Sequence, residues 1–185
     1  MRLDVATTRE WHGCRGNPEW RRPKVAASAK ELARPGYDSC SATEYDKGLV
    51  KQWVQQNHDG LAQKAGFPLH ALNEIHGSWF DIKNPVKMMD DTLRPDLLDR
   101  LVQWSQRADL TIAMGTFLCG MTSDTIVTEV AVRPGALGVV IINLQKTKQD
   151  HLAALRIFAP CDVVMAKLRK RLRLRNGTRT LEQPE

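Results

Sequence analysis

Two stretches of the chain are almost continuously apolar, Asp109 to Met114 and Gly138 to Ile142, and each stops at a polar turn, Gly115-Thr116 and Asn143. Runs of this kind predict strands buried on both faces that meet their loops at a carboxyl end. Leu49 to Gln55 places apolar residues at 49, 50, 53 and 54 and ends in Gln56-Asn57-His58-Asp59-Gly60, which predicts a short strand running into a loop. Between and after these, Leu97, Leu98, Leu101, Val102 and Trp104 form one helical stripe behind Pro95-Asp96. A second helix carries Ile126, Val127, Val130 and Ala131 behind a cap at Thr122 or Ser123, and a third spans Asp162 to Leu172. Leu61 to Ala65 predicts a helical turn or two, Pro85 to Met89 a short strand, and Val25 to Ala33 a short helix.

Strands alternating with helices of about ten residues predict a parallel sheet with right-handed crossovers, an α/β domain of the Rossmann-like kind. In such sheets ligands bind where strands end. Here those ends are Gln56-Asn57, Gly115-Thr116 and Asn143. The expected organisation is an irregular or partly ordered arm over 1–33, the α/β domain over 34–173, and a basic or polar tail over 174–185.

Length and composition agree with one such domain: 185 residues, 42% hydrophobic and 26% charged. The net charge of +6 is uneven. Residues 1–34 hold eight Lys/Arg against four Asp/Glu and residues 163–185 seven against two, leaving the middle at −3. A mildly acidic body with basic ends argues against a nucleic-acid partner, which calls for a basic face. Cys14, Cys40, Cys119 and Cys161 are scattered, with no paired spacing. They predict neither a metal site nor a disulfide framework, and fit an intracellular protein, cytoplasmic or nuclear. No apolar run approaches the ~20 residues of a membrane span, so no membrane partner is expected.

The polar strings, taken in order, resemble the sirtuins, the NAD-dependent protein deacylases. They are Gln56-Asn57-His58-Asp59-Gly60-Leu61, Ile75-His76-Gly77-Ser78, Gly115-Thr116-Phe117 and Ile142-Asn143. Ala33-Arg34-Pro35, Gly48-Leu49-Val50-Lys51 and Arg107-Ala108-Asp109-Leu110 extend the likeness, so that it runs from about Arg34 to Leu172.

The resemblance implies a partial sirtuin-type Rossmann-like sheet and an NAD-dependent protein-lysine deacylase, with an acyl-lysine protein or peptide as substrate. It implies that Gln56, Asn57 and Asp59 hold the nicotinamide ribose and carboxamide, with Asn57 beside His76 in the catalytic pair. His76 is the implied base, since imidazole titrates near neutrality and can take a proton from a sugar hydroxyl. Gly115 and Thr116 would lie along the ADP moiety, Asn143 at the adenosine ribose, and Cys161 by the adenine.

Departures from the family qualify this. No Gly-Ala-Gly string precedes Pro35, so the sheet is expected to lack its first strand and the chain to be N-terminally truncated. Gly13 to Trp20 echoes the family's segment that closes over nicotinamide only faintly. No cysteine lies between His76 and Gly115, so neither a zinc ion nor the family's zinc module is expected. Phe117 replaces the usual Ser, and His58 the usual aliphatic residue. The alternative function is a non-catalytic module that binds NAD or ADP-ribose, or serves in interactions.

Overall fold

The computed structural model describes residues 3–7, 45–88 and 90–174. Its centre is a six-stranded, wholly parallel sheet in the order β3-β2-β1-β4-β5-β6. The strands are β1 (Leu3–Thr7), β2 (Val50–Gln55), β3 (Leu72–Asn73), β4 (Leu110–Met114), β5 (Gly138–Ile142) and β6 (Leu155–Ile157). Helices α1 (Leu61–Lys64), α2 (Pro95–Arg107), α3 (Thr125–Val132) and α4 (Cys161–Leu172) connect and flank them.

The expectation that the sheet lacks its first strand is corrected. Leu3–Thr7, inside the expected irregular or partly ordered arm, pairs with β2 on one side and β4 on the other and occupies the middle of the sheet. With a charged Asp4 and a polar Thr7 among its five residues, the strand is too mixed to carry a buried-strand signature. A parallel ladder with two neighbours supplies what the local pattern lacks. A second correction concerns residues 85–88, expected as a strand, which are irregular. Pro85 has no amide hydrogen to give to a ladder. The expected helix over 25–33 and the faint closing segment over 13–20 lie outside the described residues.

Side chains alternate across the sheet, and this builds a core on each face. Val50, Trp53, Ile112, Met114 and Ile142 point to one side, against Ala62, Phe67 and Met165. Val54, Ala113, Val139 and Ile141 point to the other, against Leu101 of α2 and Ile126, Val127 and Val130 of α3. Trp53 is fully buried and meets Phe67 edge to face at 5.1 Å. Helix α2 starts where predicted, with Pro95 in its first turn and Asp96 near its positive end. It buries Leu97 and Leu101, with Trp104 half-buried beside them. Among the described residues no helix is long and apolar enough to cross a membrane.

A parallel sheet puts every strand's carboxyl end on one edge. The loops after β2, β3, β4 and β5 therefore gather there, and they carry His58, His76, Thr116 and Asn143.

Candidate functional site

Gln56, the first residue beyond β2, organises the edge. Its Nε2 donates to Asp124 Oδ1 at 2.9 Å and also to Ser123 Oγ, while its Oε1 accepts from Thr116 Oγ1 at 3.3 Å. The loop after β2 is thus tied to the loop after β4 and to the start of α3. Thr116 passes the connection on, because its carbonyl accepts from Asn143 Nδ2 at 2.7 Å. Gly115 N donates to Ile142 O at 3.0 Å, and Cys161 Sγ lies 3.8 Å from the same oxygen. Gln56, Gly115, Thr116, Asn143 and Cys161, drawn from four separate segments, form one connected group.

Asp124 is the member that the sequence pattern did not single out. It is 4% exposed, and its Oδ2 accepts from Gly120 N at 2.8 Å and Met121 N at 3.0 Å. Burial raises its carboxyl pKa above the ordinary value, against the opposing pull of these hydrogen bonds. Only an Asp two residues past Met-Thr marked it, and such a pattern reads as an ordinary helix start. The start is indeed Asp124 rather than a Thr122 or Ser123 cap: these residues form a short 3-10 turn before α3.

His76 follows β3 and is 8% exposed. Its ring hydrogen-bonds to the backbone of Gln56, while Nε2 is buried with no hydrogen-bond partner. Desolvation first, and the neighbouring His58 second, lower its pKa from 6.5 to about 4. The imidazole is therefore neutral at physiological pH. The turn holding it is pinned on both sides, since Lys87 N donates to His76 O at 2.9 Å and Ser78 N to Asn84 O at 2.8 Å. Gly77 is required there: its φ is +87°, and a Cβ would stand 2.2 Å from Pro85 O.

Asp59 has a local task. Its Oδ1 accepts from Leu61 N at 3.1 Å and Gln55 Nε2 at 3.2 Å, which shapes the turn into α1. Asn57 sits in the same loop, half-buried. Glu74, two residues before His76, is buried, and its pKa is raised by desolvation. Phe117 is half-buried in the loop after β4, and Leu118 behind it is buried at a φ of +49°. Among the described residues no group of three or more His, Cys, Asp or Glu is placed to hold a metal ion.

This geometry has relatives. No family profile matches the chain. The chain is 24% identical, over 86% of its length and 44% of the relative's, to the NAD-dependent protein deacetylase SRT1 of Arabidopsis thaliana. It is 27% identical to the NAD-dependent protein deacetylase sirtuin-7 of Mus musculus, over 83% and 49% of the two lengths. An NAD-dependent protein deacetylase of Saccharolobus solfataricus is 25% identical, over 76% of this chain and 68% of that one. The chain thus spans less than half the length of the plant and mouse relatives. Among solved structures, a Sir2 homologue in complex with ADP-ribose superposes with a TM-score of 0.73 at 20% identity, covering 95% of each chain. A Sir2 homologue in complex with NAD gives 0.67 at 23% identity, covering 75% of this chain and 65% of that one. The fold is that of Sir2.

Proposed function

From the premise that this chain belongs to the sirtuin family, we propose that it is an NAD-dependent protein-lysine deacylase domain with His76 as its base. One observation carries the reading: a neutral imidazole, nine-tenths buried, with an unpartnered Nε2 at the carboxyl edge of the sheet. A buried polar atom without a partner costs free energy in the free protein, and a ligand hydroxyl would satisfy it.

The residues fit the sugar and adenosine ends of NAD. Gln56, Asn57 and Asp59 would hold the nicotinamide ribose and carboxamide. Gly115 and Thr116 would lie along the ADP moiety, with Gly115 at a φ of +63° in the turn after β4. Asn143 would meet the adenosine ribose, and Cys161, already beside Ile142, the adenine. When bound, NAD would supply the ribose carbon that the acyl-lysine carbonyl oxygen attacks as nicotinamide leaves. The chain's part is to exclude water from Nε2, to accept a proton there, and to hold the imidazole by its bond to Gln56. A low pKa keeps His76 unprotonated and ready at neutral pH, at some cost in basicity.

The pyrophosphate end fits less well. Strand β1 is present, but Thr8-Arg9-Glu10 follows it in place of a glycine-rich turn whose amides cradle phosphate. That departure favours the second reading, a non-catalytic module for NAD or ADP-ribose. Several Sir2 structures carry acylated or p53 peptides, which supports an acyl-lysine peptide as the substrate here. No zinc requirement is proposed.

Nicotinamide release from NAD, assayed with a mixed acyl-lysine peptide pool, decides between the readings. Release by the native chain that His76→Ala abolishes supports the deacylase. Absence of release, together with calorimetric binding of ADP-ribose by the same folded preparation, supports the binding module.

A further inference from the structure

We propose that His58 is the positioning residue for His76, locking the turn after β3 onto the loop after β2 through a hydrogen bond from its imidazole to Gly77. Its consequence for catalysis rests on the deacylase reading above; its consequence for the geometry of His76 does not.

His58 grips the His76 turn twice. Its Nδ1 lies 2.8 Å from Gly77 O, the carbonyl directly after His76, and its own carbonyl accepts from Trp79 N at 3.0 Å. A carbonyl only accepts, so Nδ1 carries the hydrogen. The ring also packs against Trp79 with centroids 6.3 Å apart. The two grips bracket His76 from its C-terminal side, while the ring of His76 is held by the Gln56 backbone on the other. Without the Nδ1 bond, Gly77 O loses its side-chain donor, and the turn keeps the Trp79 N bond to His58 O and the bond of the His76 ring to the Gln56 backbone. An aliphatic side chain at this position, usual in the resembling family, cannot make that bond. The closeness of the two imidazoles also appears in their electrostatics, since His58 contributes to holding His76 unprotonated.

Three substitutions separate the bond from the bulk. Asn carries an N–H where Nδ1 stands, so His58→Asn keeps the bond; Gln carries its amide one atom further out, and His58→Ile has no donor. Each variant is compared with the native chain by the ring resonances and titration of His76 in NMR spectra of the free protein, and by kcat and KM for nicotinamide release. Expected are shifted His76 resonances and a kcat lower by about tenfold to a hundredfold in His58→Ile and His58→Gln, with KM for NAD within about twofold. His58→Asn is expected to restore the His76 resonances and most of kcat. Unchanged His76 resonances in His58→Ile overturn the proposal, and so does equal behaviour of the Asn and Gln variants, which decides the matter if the Ile variant misfolds. If the native chain releases no nicotinamide, the deacylase reading fails alone, and the His76 resonances still judge the positioning role.

Discussion

The side-chain amide of Gln56 donates to the carboxylate of Asp124 across 2.9 Å, joining residues 68 positions apart in the chain. With the bond to Ser123, that contact binds the end of β2 to the start of α3, and it makes Asp124 the acceptor for three donors: Gln56 Nε2, Gly120 N and Met121 N. Asp124→Ala leaves all three without it in a buried setting. A loss of about 2–3 kcal/mol is expected, seen as a fall in Tm of roughly 4–12 °C. Thermal unfolding monitored by circular dichroism measures it, and a fall below 2 °C would show that water takes over the role of the carboxylate.

His76 sets a pH dependence of stability. Its pKa is lowered from 6.5 to about 4 on folding, so between these values the unfolded chain binds the proton more readily. The contribution of the neutral buried ring is whole above pH 6.5, is lost progressively as pH falls through that window, and levels off below about pH 4. Its full extent is up to about 3 kcal/mol. Urea unfolding at pH 7, 5 and 4 is expected to show a shallower decline for His76→Gln than for the native chain. Parallel declines would contradict the buried, neutral state.

Gly77 and Gly135 both have positive φ, +87° and +80°, but only at Gly77 does a Cβ collide with backbone; at Gly135 it meets nothing within 4 Å. Gly135→Ala is expected to cost about 1–2 kcal/mol, the strain of the left-handed region alone. Gly77→Ala adds a forced shift of the 85–86 backbone, so its cost is expected at about 3–5 kcal/mol. Chemical denaturation of the two variants side by side checks the order, and Gly135→Ala falling as far as Gly77→Ala would contradict it.

Arg156 holds the loop after β5. Its guanidinium donates to the carbonyls of Ile141, Asn143, Gln145 and Ile157 and pairs with Asp150 at 2.8 Å, while its plane lies 3.8 Å from the centroid of Phe158. A lysine has neither the fork nor the plane to do this. Arg156→Lys is expected to raise amide exchange over residues 143–150 by about tenfold and leave that of α2 unchanged. Hydrogen exchange read by mass spectrometry distinguishes this from uniform destabilisation.

The parts of the fold legible in the sequence are those whose pattern is self-contained. The apolar runs ending at Met114 and Ile142, and the stripe Leu97, Leu101, Trp104, each declare an element without reference to the rest of the chain. Strands β1, β3 and β6 do not: Asp4 and Thr7 break up the apolar residues of β1, two and three residues are too few to show a period in β3 and β6, and only ladder partners stabilise them as strands. The same division runs through the crevice. Gln56, Gly115, Thr116, Asn143 and Cys161 stand at strand ends or a helix start, where sequence order alone assigns them to one edge, and they prove to be connected. Asp124 was silent because its importance lies in what reaches it from residue 56, a relation that no local window contains. His76 was legible as a residue but not as a state: its burial, and with it the low pKa, comes from tertiary packing that no local window contains.

The place of β1 governs the order of assembly. The strand nearest the start of the chain is the one with most to wait for, since its partners are residues 50–55 and 110–114. Until β4 has left the ribosome, β1 offers a bare parallel edge beside β2, and such edges recruit foreign strands. Closing a sheet around so distant a pair of neighbours is slow, and it makes the centre the last region to become solid. A chain deprived of residues 3–7 would hold two fragments, β3-β2 and β4-β5-β6, each with an open edge turned toward the other, and the crevice that spans them would have no common floor.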